Sequence, residues 1–91
     1  MIIGKFPLEI VDEQTLEIKG YNGFLSVIEQ KEKLVVYAFT NTNSEIINTI
    51  QIRIVGTGHS ISGELQFNYA FLGTVAMKNS LVWHIFYKEI V

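Results

Sequence analysis

The segment Thr49-Ile50-Gln51-Ile52-Arg53-Ile54-Val55 alternates without a break between polar and apolar side chains. An extended backbone sends Ile50, Ile52 and Ile54 to one face and Thr49, Gln51 and Arg53 to the other. The competing reading is a short helix over residues 44–54, in which Glu45, Ile46, Ile47 and Ile50 share a face. The β-branched content from Ile46 to Val55 favours strand.

The same period of two runs outward in both directions. Phe6, Leu8 and Ile10 alternate with Lys5, Pro7 and Glu9, which predicts a first strand. Pro7 has no N–H to donate, so that strand belongs at a sheet edge. Asp12-Glu13 turns the chain into residues 15–19, where Leu16 and Ile18 alternate with polar neighbours. Gly20-Tyr21-Asn22-Gly23 has the composition of a loop. Two apolar runs, 24–30 and 34–40, flank Lys31-Glu32-Lys33 and predict a hairpin with a charged tip. Residues 41–48 form a polar connection, and residues 56–63 a loop rich in glycine, serine and threonine. Strands over 67–77 and 81–88 follow, joined by a turn at Lys78-Asn79-Ser80. About seven strands and no helix result. The expected fold is all-β, a small antiparallel sandwich or barrel.

The final strand is apolar on both sides. Leu81, Trp83, Ile85 and Tyr87 share one face, while Val82, His84 and Phe86 share the other. Both faces then need cover, and a neighbouring subunit is the expected source of the second. Composition points the same way. The 91 residues are enough for one domain, 1–91, and 48% of them are hydrophobic. Charged residues are 18%, below the roughly 25% usual in globular domains. A small monomer cannot hide that apolar surplus, so a homo-oligomer, dimer or tetramer, is expected.

Other classes are disfavoured. With no cysteine, neither a disulfide framework nor a thiolate metal site is available. The first ten residues carry Lys5, Pro7 and Glu9 and do not make the apolar core of a signal peptide. No apolar run approaches the roughly eighteen residues of a membrane span. The expected compartment is the cytoplasm. A net charge of −2 argues against broad binding to DNA or RNA, and leaves room for one small anionic ligand in a local basic pocket.

The segment richest in chemistry is Arg53-Ile54-Val55-Gly56-Thr57-Gly58-His59-Ser60. Gly56 and Gly58 let a ligand approach the backbone, and successive amides in such a loop can form an anion nest. Thr57 and Ser60 add hydroxyls, His59 a donor or stacking ring, and Arg53 a fork suited to phosphate. The plainer alternative is a turn between strands with a surface histidine, and short Gly-x-Gly turns are common. The loop is neither a dinucleotide fingerprint nor a P-loop. Trp83 and His84 are the second candidate pair: tryptophan stacks on bases, although a core tryptophan beside a buried histidine fits the same letters. Tyr21, Tyr37, Tyr69 and Tyr87 fit core, interface or stacking roles alike. His59, His84 and Glu64 lack the spacing of a metal motif, and Ser60 beside His59 is no triad. No metal, cofactor or catalytic activity is expected.

Several segments together resemble a known family. They are Lys5-Phe6-Pro7-Leu8-Glu9-Ile10 followed by Asp12-x-Gln14-x-Leu16, then Phe24-Leu25-Ser26-Val27, Ile54-Val55-Gly56-Thr57-Gly58-His59, Leu72-Gly73-Thr74-Val75 and Leu81-Val82-Trp83-His84-Ile85-Phe86. In this order they resemble small proteins encoded by phages and prophage-bearing bacteria. That family is similar to the Vs-type proteins of T4-like phages, relatives of which sequester the cyclic nucleotide signals of CBASS anti-phage defence. The resemblance implies a phage anti-defence sponge in the infected bacterial cytoplasm. It would bind a signal such as cyclic GMP–AMP without cleaving it, with contacts at Gly56–His59 and at Trp83 and His84. Ser60 departs from the proline that relatives carry after the motif histidine. The alternative is a protein–protein module, such as a phage inhibitor of a host protein or a small virion accessory protein.

Overall fold

The computed structural model describes residues 1–90. In chain order it contains β1 (Ile2–Leu8), β2 (Glu13–Lys19), β3 (Tyr21–Gln30), β4 (Lys33–Thr40) and β5 (Ile47–Gly56). Helix α1 (Gly63–Asn68), β6 (Ala70–Ala76) and β7 (Val82–Ile90) complete it. A three-stranded sheet has the order β1-β4-β3 and a four-stranded sheet the order β2-β5-β7-β6, with every pairing antiparallel. The chain is thus the all-β sandwich of seven strands that alternation predicts.

The inner faces follow the period of two. Leu8, Leu34 and Val36 from one sheet meet Ile50, Ile52, Ile54, Val75 and Ile85 from the other, all buried. Each such side chain contributes roughly 1.5–3 kcal/mol by leaving water. β1 is an edge strand, as Pro7 requires. At the opposite edge β3 packs on β6 so closely that a Cβ on Gly73 would lie 2.9 Å from a Val27 methyl. Glu29 tightens that seam by accepting a 2.9 Å bond from the Lys78 amide.

Three local expectations are corrected. Gly20-Tyr21-Asn22-Gly23 is not a loop: Gly20 alone separates β2 from β3, and β3 begins at Tyr21. Because β2 and β3 lie in different sheets, Gly20 is the corner between them, with φ +72. Its N–H donates to the Ile46 carbonyl at 2.8 Å and its carbonyl accepts from the Asn41 amide at 2.7 Å. A Cβ there would strike the Asn41 carbonyl oxygen.

The second correction is α1. Ser62 caps it, accepting from the Leu65 amide at 3.3 Å, so the strand expected over 67–77 begins only at Ala70. From Ser62 to Leu72 there is no β-branched residue, which lowers the strand preference of this segment.

The third concerns cover for β7. Leu65 is 1% exposed and Tyr69 8%, yet neither belongs to the inter-sheet core. Tyr69 receives Lys88 and Arg53, both outward-facing, over its ring. The short helix and Tyr69 therefore lie on the outer face of the four-stranded sheet. The chain supplies part of the second cover itself.

Candidate functional site

β5 and β7 run side by side with Arg53 opposite Phe86, Val55 opposite His84, and Gly56 opposite Trp83. β6 then sets Thr74 opposite His84. Since neighbouring residues on a strand face opposite ways, Arg53 and His84 share the outer face while Trp83 turns inward. The residues singled out in the sequence are thereby divided between two places.

Trp83 packs on the core, its indole Nε1 buried without a hydrogen-bond partner among the described residues. The His59 ring lies 6.5 Å from it, edge to face. Both crowd Gly56, where a Cβ would sit 2.9 Å from His59 Cε1 and 3.2 Å from Trp83 Cζ3. Gly56 is glycine because two rings close over it. Trp83 is half-buried beneath this contact, and His59 stays exposed.

The Gly56–His59 loop is a tight turn. The His59 amide donates to the Gly56 carbonyl at 3.1 Å, and Gly58 has φ +89, as the third position of a type II turn demands. The Thr57 amide donates to the Val82 carbonyl at 3.3 Å. Two amides of the loop are thus engaged internally, and the anion nest expected there does not form. What the turn delivers to the outer face is the Thr57 hydroxyl.

That hydroxyl lies 2.8 Å from His84 Nε2, while the Thr74 hydroxyl lies 2.9 Å from Nδ1. Threonine hydroxyls rotate to donate or accept, so a neutral imidazole finds one donor and one acceptor and an imidazolium finds two acceptors. The ring is therefore held in one orientation in either state. Nearby, Arg53 Nε donates to the Asp12 carbonyl at 3.3 Å, and its guanidinium carbon stands 5.9 Å from the Tyr69 ring centre. Lys88 Nζ lies 5.0 Å from the same centre and 3.7 Å from the Glu64 carboxylate. Two cations thus share one aromatic ring, an attraction of about 0.5–1 kcal/mol each at a partly exposed site. Among the described residues no acceptor meets the terminal nitrogens of Arg53, so the fork is open to a ligand.

The outer face therefore joins Arg53, Thr57 and His84 with Thr74, Tyr69 and Lys88. Thr74 and Lys88 are not among the candidates the sequence offers, and Tyr69 is there only one of four tyrosines with core, interface and stacking roles open. Thr74 meets His84 only through the β6–β7 register, and Tyr69 reaches the face only because α1 lies there. A depression of about 530 Å³ occurs elsewhere, at the sandwich end between Pro7–Ile10 and Glu32–Lys33. Among the described residues no group of histidines and carboxylates is placed to hold a metal, and no helix is long and apolar enough to cross a membrane.

The sequence profile of a family described as domain of unknown function (DUF7352) matches residues 1–90. No curated protein matches the chain. No solved structure matches it either.

Proposed function

The chain belongs to the DUF7352 family, and we propose that it is a binding module that captures a cyclic dinucleotide without turnover, as a phage anti-defence sponge. The observation that carries this reading is the fixed polar row on the outer face, where Thr57 and Thr74 clamp both nitrogens of His84. Arg53 offers free guanidinium donors on the same face. A clamped imidazole suits holding a ligand better than shuttling protons, since both of its nitrogens already have partners. A phosphate on Arg53 and a hydrogen-bonded base edge near His84 fit this geometry. Half-buried Phe86 supplies flat apolar surface alongside.

The role in phage defence rests on the sequence resemblance. A homo-oligomer belongs to the same proposal. Phe67 and Phe71, exposed by 78% and 58% beside the site, would meet the second copy. The same two rings favour a second reading, a protein–protein module in which this face docks a host protein directly.

Titration calorimetry against a panel of cyclic di- and trinucleotides tests the proposal. Saturable binding is expected, with the ligand recovered intact after heat denaturation. Arg53→Ala should weaken it by roughly 1.5–3 kcal/mol, the value of a charge-assisted hydrogen bond. Absence of binding across the panel overturns the sponge reading. Recovery of linear products makes the protein an enzyme.

A further inference from the structure

We infer a second binding site, on the outer face of the three-stranded sheet, that takes single-stranded nucleic acid. A depression of about 280 Å³ on that face is lined by Lys5, Pro7, Gln30, Lys31, Lys33 and Val35. Three of the seven Lys and Arg residues in the chain meet there, and no carboxylate lines it. The two ion pairs among the described residues use Lys19 and Lys88, so Lys5, Lys31 and Lys33 make no ion pair, and the nearest carboxylates, Glu9 and Glu32, border Lys33 on the side of the sandwich end. In a chain of net charge −2, such a cluster makes a local anion site that the overall balance conceals. Net charge governs long-range attraction, whereas a bound phosphate responds to charges within about 10 Å.

The turn adds an independent observation. Lys31 and Glu32 occupy the two central positions with φ +52 and +67. A turn with both residues left-handed favours Asn-Gly, and other side chains cost about 1–2 kcal/mol each. Lysine at this position disfavours the turn, and its contribution is to the depression. Glu32 lines the depressions at the sandwich end, the first of which it shares with Glu9 and Lys33.

What lies beside the lysines selects the class of anion. Lys5 pairs with Tyr37, and Tyr37 with Ser26. Tyr37 and Phe39 stand on the same side of β4, about 6.8 Å apart along the strand. Phe39 is 36% exposed and its neighbour Ile3 is 55% exposed. From Lys33 to Phe39 the face extends about 20 Å, which is room for a few nucleotides. Lysines at one end and two aromatic rings at the other form the combination that holds unpaired bases and their phosphates. An acidic partner without bases would use the lysines and leave the rings idle.

Fluorescence anisotropy of labelled oligo(dT) and oligo(U), each of about ten nucleotides, tests the inference on the full chain. Saturable binding is expected at about 20 mM KCl, with a log–log salt slope near −2 for three single-strand phosphates. The double variant Lys5→Gln/Lys33→Gln, at exposed positions, should bind at least about tenfold more weakly. Tyr37→Leu, which keeps the charge, should lose about fivefold or more, with Phe39→Leu as the substitute if that variant does not fold. Arg53→Ala should bind the oligonucleotide like the parent, which separates this site from the proposed cyclic dinucleotide site. No saturable binding, or full binding by the double lysine variant, overturns the inference. So does equal affinity for a duplex of the same length, for inorganic polyphosphate or for anionic lipid vesicles.

Discussion

The two sheets of this sandwich treat their outer faces differently. The four-stranded sheet is partly roofed by six residues of helix and by Tyr69, and its cations are matched by Glu64 or by an aromatic ring. Among the described residues the three-stranded sheet has no such roof, and Ile3 stands 55% exposed in the open. A single short excursion of the chain covers part of one sheet surface, and the same apolar alternation without it stays open to a partner. The energetic consequence should be large. Leu65→Ala is expected to cost about 2–5 kcal/mol in urea unfolding, a sizeable part of the roughly 5–15 kcal/mol a domain possesses. Ile3→Ser should stay within about 0.5 kcal/mol. A cost for Ile3→Ser comparable to that of Leu65→Ala would break the comparison, because it would mean that a second copy already covers the open face.

The corner between the two sheets offers the next test. At Gly20 an added Cβ meets backbone, the Asn41 carbonyl, while φ is +72. Strain in the left-handed region and the steric clash together should make Gly20→Ala cost about 2–4 kcal/mol. At Gly23, φ is +110 but the space beyond is empty, so Gly23→Ala should cost only the conformational part, about 1–2 kcal/mol. Equal losses in denaturant unfolding would show that Gly20 is not the tight corner described.

How far the sequence reveals these features depends on the range of the interaction. The isoleucines of β5 and the proline of β1 report their faces within a few residues, and strand identity there is legible. Gly20 and Gly23 read as a loop because glycine marks both a loop and a sharp corner, and only the sheet change distinguishes them. Helix α1 escapes a periodicity reading because six residues are too few to display a helical period. Its signal lies instead in the Ser62 cap and the absence of β-branched side chains. In the site, Arg53, Thr57 and His84 are legible as chemical types. The clamp on His84 is not, since Thr74 reaches it through register. Nor is the lysine depression, because Lys5 joins Lys31 and Lys33 only when β1 pairs with β4.

The interior that both faces share carries a titration signal. Burial, and then the charges of Tyr87 and Glu89, push the Tyr21 phenol up to about 12, with a backbone bond at Phe24 opposing. The folded state therefore favours the neutral phenol more than the unfolded chain does. Its contribution is fully present below pH 10 and is lost as pH rises from 10 through 12. Stability measured across that window should fall more steeply for the parent than for Tyr21→Phe. Parallel curves would mean that water reaches the phenol and that the sandwich is open at this end.

The smallest effect sharpens the comparison most, because it should move stability and binding in opposite directions. Lys31 and Glu32 sit where the hairpin turn requires positive φ at both positions. Lys31→Asn with Glu32→Gly supplies the residues that adopt this geometry with least strain. The expected gain is about 0.5–1 kcal/mol in unfolding, the relief of native strain being partly offset by the freedom that glycine adds to the unfolded chain. The change also removes one of the three lysines of the open face. Oligonucleotide affinity should therefore drop, and the salt slope should shallow by about 0.7, the value for one single-strand phosphate that no longer has a cation beside it. The roofed face lies on the other sheet, so cyclic dinucleotide binding should not change. A more stable protein with undiminished oligonucleotide binding would leave Lys31 a turn residue only and remove it from the open face's function.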